Sequence, residues 1–289
     1  MASIFTSAWA RLEAWGHRKR WARDHVRKMR EADGIVVSHT KSGSTWLRVM
    51  ISHLYHLRYG VPENEILNFD NLHRLNPAIP KLHFARDTAT PFFSVFDTLV
   101  PAPAEQKILF LLRDPRDVAV SFYFHVLHRA GRRELDRKRI SRDAVSAMTL
   151  YEFVTDEHLG VPRVIGYMNR WWEERSRFSA TCLIKYEEMK RDPQAALQKA
   201  ISFLDREFDE TLLQQAVQFA SFENLARKEA TGFFNSRRMQ PGDVSDPNTF
   251  KVRRGQVGGY RDYFDAKELE AIDALLRDAL PAEIEYCSK

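Results

Sequence analysis

The 289-residue sequence predicts an α/β protein of one main domain, with a central parallel sheet flanked by helices. Beyond residue 34, short apolar runs of strand type alternate with longer runs of helical periodicity, which is typical of parallel βαβ units. Because the short runs are continuously apolar, we expect strands that are covered on both faces. The composition does not change further along the chain, so a single domain is predicted over residues 34–289 after a helix within residues 1–33.

Four strands are expected, at residues 34–38, 81–85, 107–112 and 181–185. The predicted helices cover residues 45–59, 115–128, 162–177, 193–204 and 266–280, and Pro115, Pro162 and Pro193 each suit a first helical turn. Residues 232–260 contain five glycines and two prolines without a clear period, which indicates a long functional loop.

Composition excludes several classes of protein. The only two cysteines, Cys182 and Cys287, cannot form a disulfide framework or a four-cysteine metal site, so a reducing, cytoplasmic location is the simplest expectation. We find no run of about 18 apolar residues, which a membrane-spanning helix would need. An apolar content of 44% allows a substantial core and argues against disorder.

The N-terminal segment, residues 1–33, is basic and amphipathic. Lys and Arg outnumber Asp and Glu there, and apolar residues recur at helical spacing. Two interpretations stay open: a peripheral contact with a membrane surface, or a helix packed on its own domain. Nucleic-acid binding is not expected, because one basic helix is not a basic groove with interleaved aromatic side chains.

The first motif lies in residues 35–47, which run from a buried strand through a small polar turn into a helix. Backbone amides of such a turn and the helix N-terminus favour a phosphate, and the motif residues are Lys41, Ser42, Gly43, Ser44 and Thr45. A nucleotide-triphosphate loop has its lysine after the second glycine, whereas Lys41 precedes Gly43. The order disfavours an ATP or GTP enzyme, although simple helix capping would explain the same residues.

The second motif, residues 109–123, is again a strand, a charged turn and a helix. Together the two motifs resemble the sulfotransferases that use 3′-phosphoadenosine 5′-phosphosulfate (PAPS). The resemblance implies a P-loop-like, nucleoside-kinase-like sulfotransferase fold, in which Arg113 and Ser121, eight residues apart, bind the 3′-phosphate. A guanidinium and a helix hydroxyl are chemically suited to that group.

Three further segments extend the resemblance over residues 35–264. Residues 183–189 are similar to a family segment whose tyrosine, here Tyr186, lies near the adenosine, and residues 221–225 to one whose phenylalanine, here Phe222, packs on adenine. Residues 250–260 look like the loop that closes over the 3′-phosphate with Arg253, Arg254 and Gly255. By the same resemblance, Trp46 stacks on the adenine.

The chain departs from the family pattern at two places. Gly258-Gly259-Tyr260 stands where the family usually has Gly-Asp/Glu-Trp, so the anchoring of this loop is expected to differ. The dimer motif of many cytosolic members is not visible after Phe264, and the oligomeric state is therefore not predicted.

The resemblance also implies a mechanism: in-line transfer of a sulfuryl group from PAPS to a hydroxyl or amine, with 3′-phosphoadenosine 5′-phosphate (PAP) as product and no metal. Lys41 would stabilise charge on the leaving diphosphate. His83 is the predicted base, because an imidazole accepts a proton near neutral pH. The alternative bases are Asp87, His39, His53 and His73.

The acceptor is not identified by the sequence, and a small molecule, a lipid or a sugar would each fit. Residues 129–142 hold seven basic residues, which predicts either a docking site for an acidic acceptor or a solvated loop. Two other functions were considered: a nucleotide-dependent phosphotransferase of related fold, and a non-catalytic membrane-surface protein built on residues 1–33.

Overall fold

The computed structural model describes residues 23–25, 27–67, 69–86, 104–234, 236 and 239–286. In these residues the chain forms a four-stranded sheet in the order β2-β1-β3-β4, in which every pair of neighbours is parallel. The strands are β1 (Gly34–Ser38), β2 (Leu82–Arg86), β3 (Ala104–Leu112) and β4 (Phe178–Lys185). The predicted α/β class and parallel sheet are confirmed.

The strand order places the first two motifs side by side. β2 pairs with one edge of β1 and β3 pairs with the other, and Val37 of β1 lies opposite Phe110 of β3. The connections that leave these two central strands therefore open next to each other at the carboxyl edge of the sheet, which is where α/β proteins bind ligands.

The observed strand bounds differ from the predicted ones at their amino ends. β1 matches residues 34–38, β2 is shifted by one residue, and β3 and β4 begin three residues earlier than the apolar runs indicate. Ala104 pairs with Phe178 across an irregular register. Backbone pairing between β3 and β4 extends both strands beyond their apolar runs, and side-chain hydropathy does not report such pairing.

Two cores cover the two faces of the sheet, as the period of two along a strand requires. Ile35, Val37 and Phe110 point into one core, whereas Val36 and Leu109 point into the other. All five residues of β1 are buried. The continuous apolar character of the central strands therefore reflects helices packed on both faces.

The helices are α1 (Ser44–Tyr59), α2 (Phe69–Leu75), α3 (Pro115–His128), α4 (Arg132–Lys138), α5 (Arg142–Ser146), α6 (Leu150–Thr155), α7 (Val161–Glu173), α8 (Tyr186–Arg191), α9 (Pro193–Leu204), α10 (Glu210–Phe219), α11 (Phe222–Ala230) and α12 (Ala266–Ala274). The predicted bounds of α3 and α9 are confirmed. Both begin with an Asp cap followed by proline, so the chain carries a local start signal there.

Other helix bounds deviate from prediction. α7 continues as a 3-10 turn over Glu174–Arg177, and α12 ends six residues before the predicted 280. Helices α10 and α11, which meet at the predicted adenine-packing segment of residues 221–225, are not among the predicted helices. Short helices are defined by caps and packing more than by a long apolar period.

The basic segment at residues 129–142 is not a solvated loop. Residues 132–138 form α4, and Lys138 is buried with its ammonium donating to Thr40 Oγ1 at 3.1 Å. Arg129 forms an ion pair with the buried Glu229, and Arg142 donates to the carbonyl of Val126 at 3.1 Å. Much of this positive charge therefore stabilises the fold.

Residues 1–22 and 26, most of the predicted basic helix, lie outside the described residues. Residues 23–25 and 27–30 are helical, and Met29 and Ala32 are buried in the same core as Ile35. The described end of the segment thus packs on the main domain. A membrane contact stays a prediction, and none of the described helices is long and apolar enough to cross a bilayer.

Candidate active site

The turn between β1 and α1 has the backbone geometry of an anion cradle. Lys41 and Gly43 both adopt positive φ, at 81° and 94°. A Cβ on Gly43 would lie 2.6 Å from Tyr186 Cδ2, so glycine is required here both for its conformation and for the close approach of the ring. The first turn of α1 has no acidic residue, which leaves the positive end of its dipole available to an anion.

Arg113, at the end of β3, joins this turn to the rest of the site. Its guanidinium donates to the Lys41 carbonyl at 3.3 Å and to the Gln256 carbonyl at 2.8 Å. It also pairs with Asp117 at 3.3 Å and lies 4.3 Å from the centre of the Tyr186 ring. The turn after β1 and the turn after β3 therefore face the same space, as expected if both motifs bind one nucleotide.

The loop over residues 251–260 is clasped at both ends by buried carboxylates, Glu229 and Asp117. Glu229 accepts the amides of Lys251 at 2.6 Å and Val252 at 3.0 Å. Asp117 accepts the amides of Gly258 at 2.9 Å and Tyr260 at 3.0 Å. This is how the Gly-Gly-Tyr sequence is anchored where the family usually has an acidic residue and tryptophan.

Sequence reasoning missed both carboxylates of this clasp. For Asp117 a signal was present, because it lies one helical turn before Ser121 and therefore on the same face of α3. Glu229 offered no such signal, since a glutamate near the end of α11 reads as an exposed charge until the fold buries it completely.

Aromatic side chains also line this site. Trp46 donates its Nε1 hydrogen to the Ala220 carbonyl at 2.8 Å and meets Tyr186 edge-on, with ring centres 5.8 Å apart. Gly255 has φ of 61°, and a Cβ there would lie 2.9 Å from Phe222. The closing loop therefore touches the predicted adenine-packing ring through a glycine.

These groups surround a cavity of about 160 Å³, far more than the roughly 15 Å³ that one water needs. Twelve of the predicted site residues line it: Lys41, Gly43, Ser44, Thr45, Trp46, Arg113, Ser121, Tyr186, Phe222, Arg253, Arg254 and Gly255. Ser42 is buried beside the cavity and donates its amide to the His39 carbonyl at 3.2 Å. Sequence motifs that are far apart in the chain thus meet at one site.

The cavity is strongly cationic. Among the described residues that line it, six carry a positive charge and one, Asp117, carries a carboxylate; the cations are Lys41, Arg113, Lys190, Lys251, Arg253 and Arg254. Burial, together with the charges of Arg129, Arg113 and Arg253, lowers the pKa of Lys41 to about 7. Such an accumulation of like charge favours the binding of an anionic ligand.

The structure does not bring His83 to this cavity. It is the second residue of β2, lies opposite Ile35, and its Nε2 is 3.0 Å from His25 Nδ1. Three residues separate His83 from the carboxyl end of β2, which corresponds to about 10 Å along the strand. The prediction that His83 is the base is therefore not supported by the geometry.

The structure describes three of the four alternative bases, and none of them lines the cavity. His39 is buried directly after β1, at the start of the turn that leads to α1, and its Nδ1 is 2.9 Å from the carbonyl oxygen of Thr40. His73 donates to the Ile79 carbonyl at 2.6 Å, and His53 lies on α1 nine residues beyond Ser44. Neither His53 nor His73 lines the cavity. Asp87 lies outside the described residues.

A further histidine, His125, interacts electrostatically with Lys41, although it does not itself line the cavity. His125 is one helical turn after Ser121 on α3, and its Nε2 is 3.1 Å from Glu134 Oε1. Its Nδ1 is buried and has no hydrogen-bond partner among the described residues. The charge of Lys41 acts on His125, and that of Glu134 acts on Lys41, so the three groups are electrostatic neighbours.

Comparisons with known proteins agree with this geometry. The family model described as "Sulfotransferase domain" matches residues 31–282. Mouse sulfotransferase 1B1 is 24% identical, covering 93% of this chain and 89% of that protein, and rabbit amine sulfotransferase is 24% identical, covering 88% and 82%. The crystal structure of mouse sulfotransferase SULT7A1 with PAP covers 86% of this chain and 84% of that one, with a TM-score of 0.55 at 19% identity.

The chain therefore belongs to the sulfotransferase family that uses PAPS, as the motifs predicted. It is an enzyme of this class. The phosphotransferase and the membrane-surface scaffold considered from the sequence are not supported by these comparisons.

Proposed function

We propose that this protein transfers the sulfuryl group of PAPS to a hydroxyl or amine of a small-molecule acceptor. The observation that carries the proposal is the convergence of six cations and five aromatic rings on one cavity. PAP carries two phosphate monoesters, hence about three to four negative charges at pH 7. The cavity offers the charges, donors and flat surfaces that such a nucleotide needs.

Each part of the donor has a proposed partner. The 3′-phosphate is assigned to Arg113, Ser121 and the loop residues Arg253, Arg254 and Gly255. The 5′-phosphosulfate is assigned to the amides and hydroxyls of residues 41–45. The adenine is assigned to the space between Trp46 and Phe222, with Tyr186 beneath the adenosine. This arrangement uses both strand-to-helix turns and leaves the S–O bond beside Lys41.

The donor assignment is tested by calorimetric titration with PAP and with AMP, which lacks the 3′-phosphate. Arg113→Ala should weaken PAP binding by about 10- to 100-fold, since a charged hydrogen-bonded contact contributes about 1.5–3 kcal/mol. AMP binding should change little. Arg175→Ala, a residue outside the cavity, is the matched control. Equal losses for both nucleotides would contradict the 3′-phosphate site, and a stronger response to ATP than to PAP would favour a kinase.

Lys41 has the proposed role of stabilising the leaving diphosphate. Sulfuryl transfer, like phosphoryl transfer, needs positioning and charge stabilisation more than covalent help from the protein. The Lys41 ammonium can follow negative charge onto the bridging oxygen as the S–O bond breaks. We therefore expect Lys41→Met to reduce kcat at saturating PAPS, in addition to the weaker PAP binding that loss of the ammonium causes at pH 7.

His125 and Glu134 have the proposed role of activating the acceptor. Burial lowers the pKa of His125 to about 4, so its imidazole is neutral at pH 7. When His125 Nε2–H donates to Glu134, the lone pair is on Nδ1. Nδ1 can then take the proton from the hydroxyl or amine of the substrate. Glu134 orients the ring and offsets the charge that forms on it.

The base is tested by comparing His125→Gln with His83→Gln on two acceptors, a phenol and an aliphatic alcohol. His125→Gln should lower kcat with the alcohol by about 10²- to 10⁴-fold. The loss with the phenol should be smaller, because its hydroxyl ionises near pH 10 without help. His83→Gln should leave kcat within about threefold. The reverse result would return the role to His83.

Amine sulfotransferase among the relatives supports a small acceptor with a hydroxyl or amine. The acceptor is identified by incubating the enzyme with sulfur-labelled PAPS and a fractionated metabolite extract. Labelling confined to large polysaccharides or to lipid would contradict the proposed acceptor class. A cytoplasmic location, with or without membrane contact through residues 1–33, stays a prediction, and cell fractionation tests it.

A further inference from the structure

A second cluster of chemically active side chains lies at the far end of α1. His53 and His56 are three residues apart on the last turns of this helix, and Glu63 begins the 3-10 turn that follows, Glu63–Glu65. One ligand-type atom from each of the three residues lies within 4.8 Å of the other two. His53 Nδ1 is 3.9 Å from Glu63 Oε1.

His56 is oriented in the way that metal-binding histidines usually are. Its Nδ1 is 2.7 Å from the carbonyl oxygen of Val61. A carbonyl can only accept, so Nδ1 carries the hydrogen and Nε2 carries the lone pair. This hydrogen bond to a backbone carbonyl holds the ring and makes Nε2 a better ligand.

His53 supplies a second, independent sign that a ligand is missing. Its ring is buried and stacks on Phe219, with centres 3.8 Å apart and planes within 9°. Its Nδ1 is buried and has no hydrogen-bond partner within the described residues. A buried polar atom without a partner is unfavourable, and a bound metal ion would offset this cost.

We propose that His53, His56 and Glu63 bind a divalent transition-metal ion. Two imidazoles and one carboxylate are a donor set that suits Zn²⁺, with a fourth position for water. Tetrahedral ligands at about 2.1 Å from zinc are about 3.4 Å apart, so donors that now lie within 4.8 Å of one another must close by up to about 1.4 Å. Glu63 can make this movement, because its side chain is 34% exposed and lies on a short turn.

The role of this site is structural rather than catalytic. His53 and His56 are 9 and 12 residues beyond Ser44, which places them about 14–18 Å along the helix from the phosphate turn. The metal would join α1 to the turn at Glu63, next to the Phe219 end of α10. The following residue, Ala220, holds Trp46 through its carbonyl. Metal binding would therefore brace the wall that carries Trp46, although sulfuryl transfer does not pass through the metal.

Lys228 provides a sharp electrostatic test. Its ammonium lies 4.5 Å above the Phe219 ring and interacts electrostatically with both His53 and Glu63. This cation is the present charge partner of Glu63 and repels an incoming metal ion. Removing it should strengthen metal binding, whereas a substitution that merely damages the fold would weaken it.

The experiment uses the full chain without an affinity tag, stripped with chelator, and titrates it with Co²⁺ and then with competing Zn²⁺. We expect one equivalent of Co²⁺ with the visible absorption of a four-coordinate site, displaced by Zn²⁺, and a rise in the thermal midpoint. His56→Gln and Glu63→Gln should each weaken Co²⁺ binding by at least about 100-fold, more than outer-shell changes cost. Lys228→Met should tighten it several-fold.

His73→Gln is the matched control, because His73 also donates Nδ1 to a carbonyl but belongs to no candidate ligand group among the described residues. It should leave Co²⁺ binding unchanged. The proposal is overturned if the wild type takes up no stoichiometric Co²⁺ at about 100 µM, or if His56→Gln and Glu63→Gln retain wild-type affinity. Because the readout is metal binding in the absence of PAPS, failure of the proposed sulfuryl transfer would not affect it.

Discussion

The lowered pKa of Lys41 predicts that PAP affinity falls as the pH rises above neutrality. Burial and the charges of Arg129, Arg113 and Arg253 lower this pKa from 10.5 to about 7 in the free protein. Bound PAP places negative charge beside the ammonium and restores its pKa, so binding requires the protonated form. Below pH 7 Lys41 is already charged and the affinity is flat; above pH 7 each binding event must take up a proton.

The magnitude follows from the two pKa values. With a pKa of about 7 in the free protein and about 10.5 in the complex, PAP affinity falls by about 50-fold from pH 7 to pH 9, which is about 2.3 kcal/mol. This is an upper value, because Lys41 lines a cavity that water enters and screening reduces the shift. The ligand itself contributes little, since its phosphates are fully ionised above pH 7.

The assay is calorimetric titration of PAP at pH 7, 8 and 9, in buffers of two different ionisation enthalpies so that proton uptake is counted directly. Lys41→Arg is the matched control, because a guanidinium stays charged throughout this range. We expect proton uptake to approach one per PAP at pH 9 in the wild type and to be near zero in Lys41→Arg. Equal pH dependence in the two proteins would refute the argument.

Three further outcomes are expected. Without ligand, the free energy of unfolding of the wild type should rise by up to about 2 kcal/mol relative to Lys41→Met between pH 7 and 9 in denaturant titrations. The reason is that the pKa of Lys41 is lower in the folded protein than in the unfolded chain, so the unfolded chain binds more protons in this range. A stability difference that stays constant with pH would contradict this. Asp117→Asn should weaken PAP binding by about 10-fold and speed proteolysis within residues 251–260, because the carboxylate anchors this loop. Asp209→Asn, at an exposed position, is the control. Unchanged proteolysis of the loop in Asp117→Asn would argue against the anchoring role. Gly43→Ala should abolish PAP binding and lower the free energy of unfolding by about 1–3 kcal/mol. Gly131→Ala should do neither, because Gly131 has a negative φ and open space where a Cβ would lie.

Local signals in the chain were sufficient for the fold class, and the motifs that resemble the family named most of the residues that the structure places around one cavity. Apolar runs and proline starts placed β1, α3 and α9, because strand burial and helix initiation depend on neighbouring residues. The motif order also identified Lys41, Arg113, Ser121 and their partners as one site. Parallel strands bring their carboxyl ends to one edge, so residues that follow two central strands must meet.

Only the tertiary structure decided which histidine lies near Lys41. His83 was predicted because the resemblance implies a histidine near a strand end, but the register opposite Ile35 places it near the amino end of β2, away from the carboxyl edge of the sheet. His125 reaches the neighbourhood of Lys41 through the packing of α3, and its partner Glu134 belongs to a helix that hydropathy did not predict. Such contacts depend on register and packing between distant segments, which no local pattern encodes.

The same distinction applies to charge. Sequence alone determined that basic residues outnumber acidic ones and that Lys41, Arg113, Arg253 and Arg254 belong to motifs. The tertiary structure decided which charges line the cavity and which form ion pairs behind it, as Arg129 does with the buried Glu229. A charge counts toward a site only where the fold removes water and brings its partners close, because electrostatic energy depends on distance and local dielectric constant.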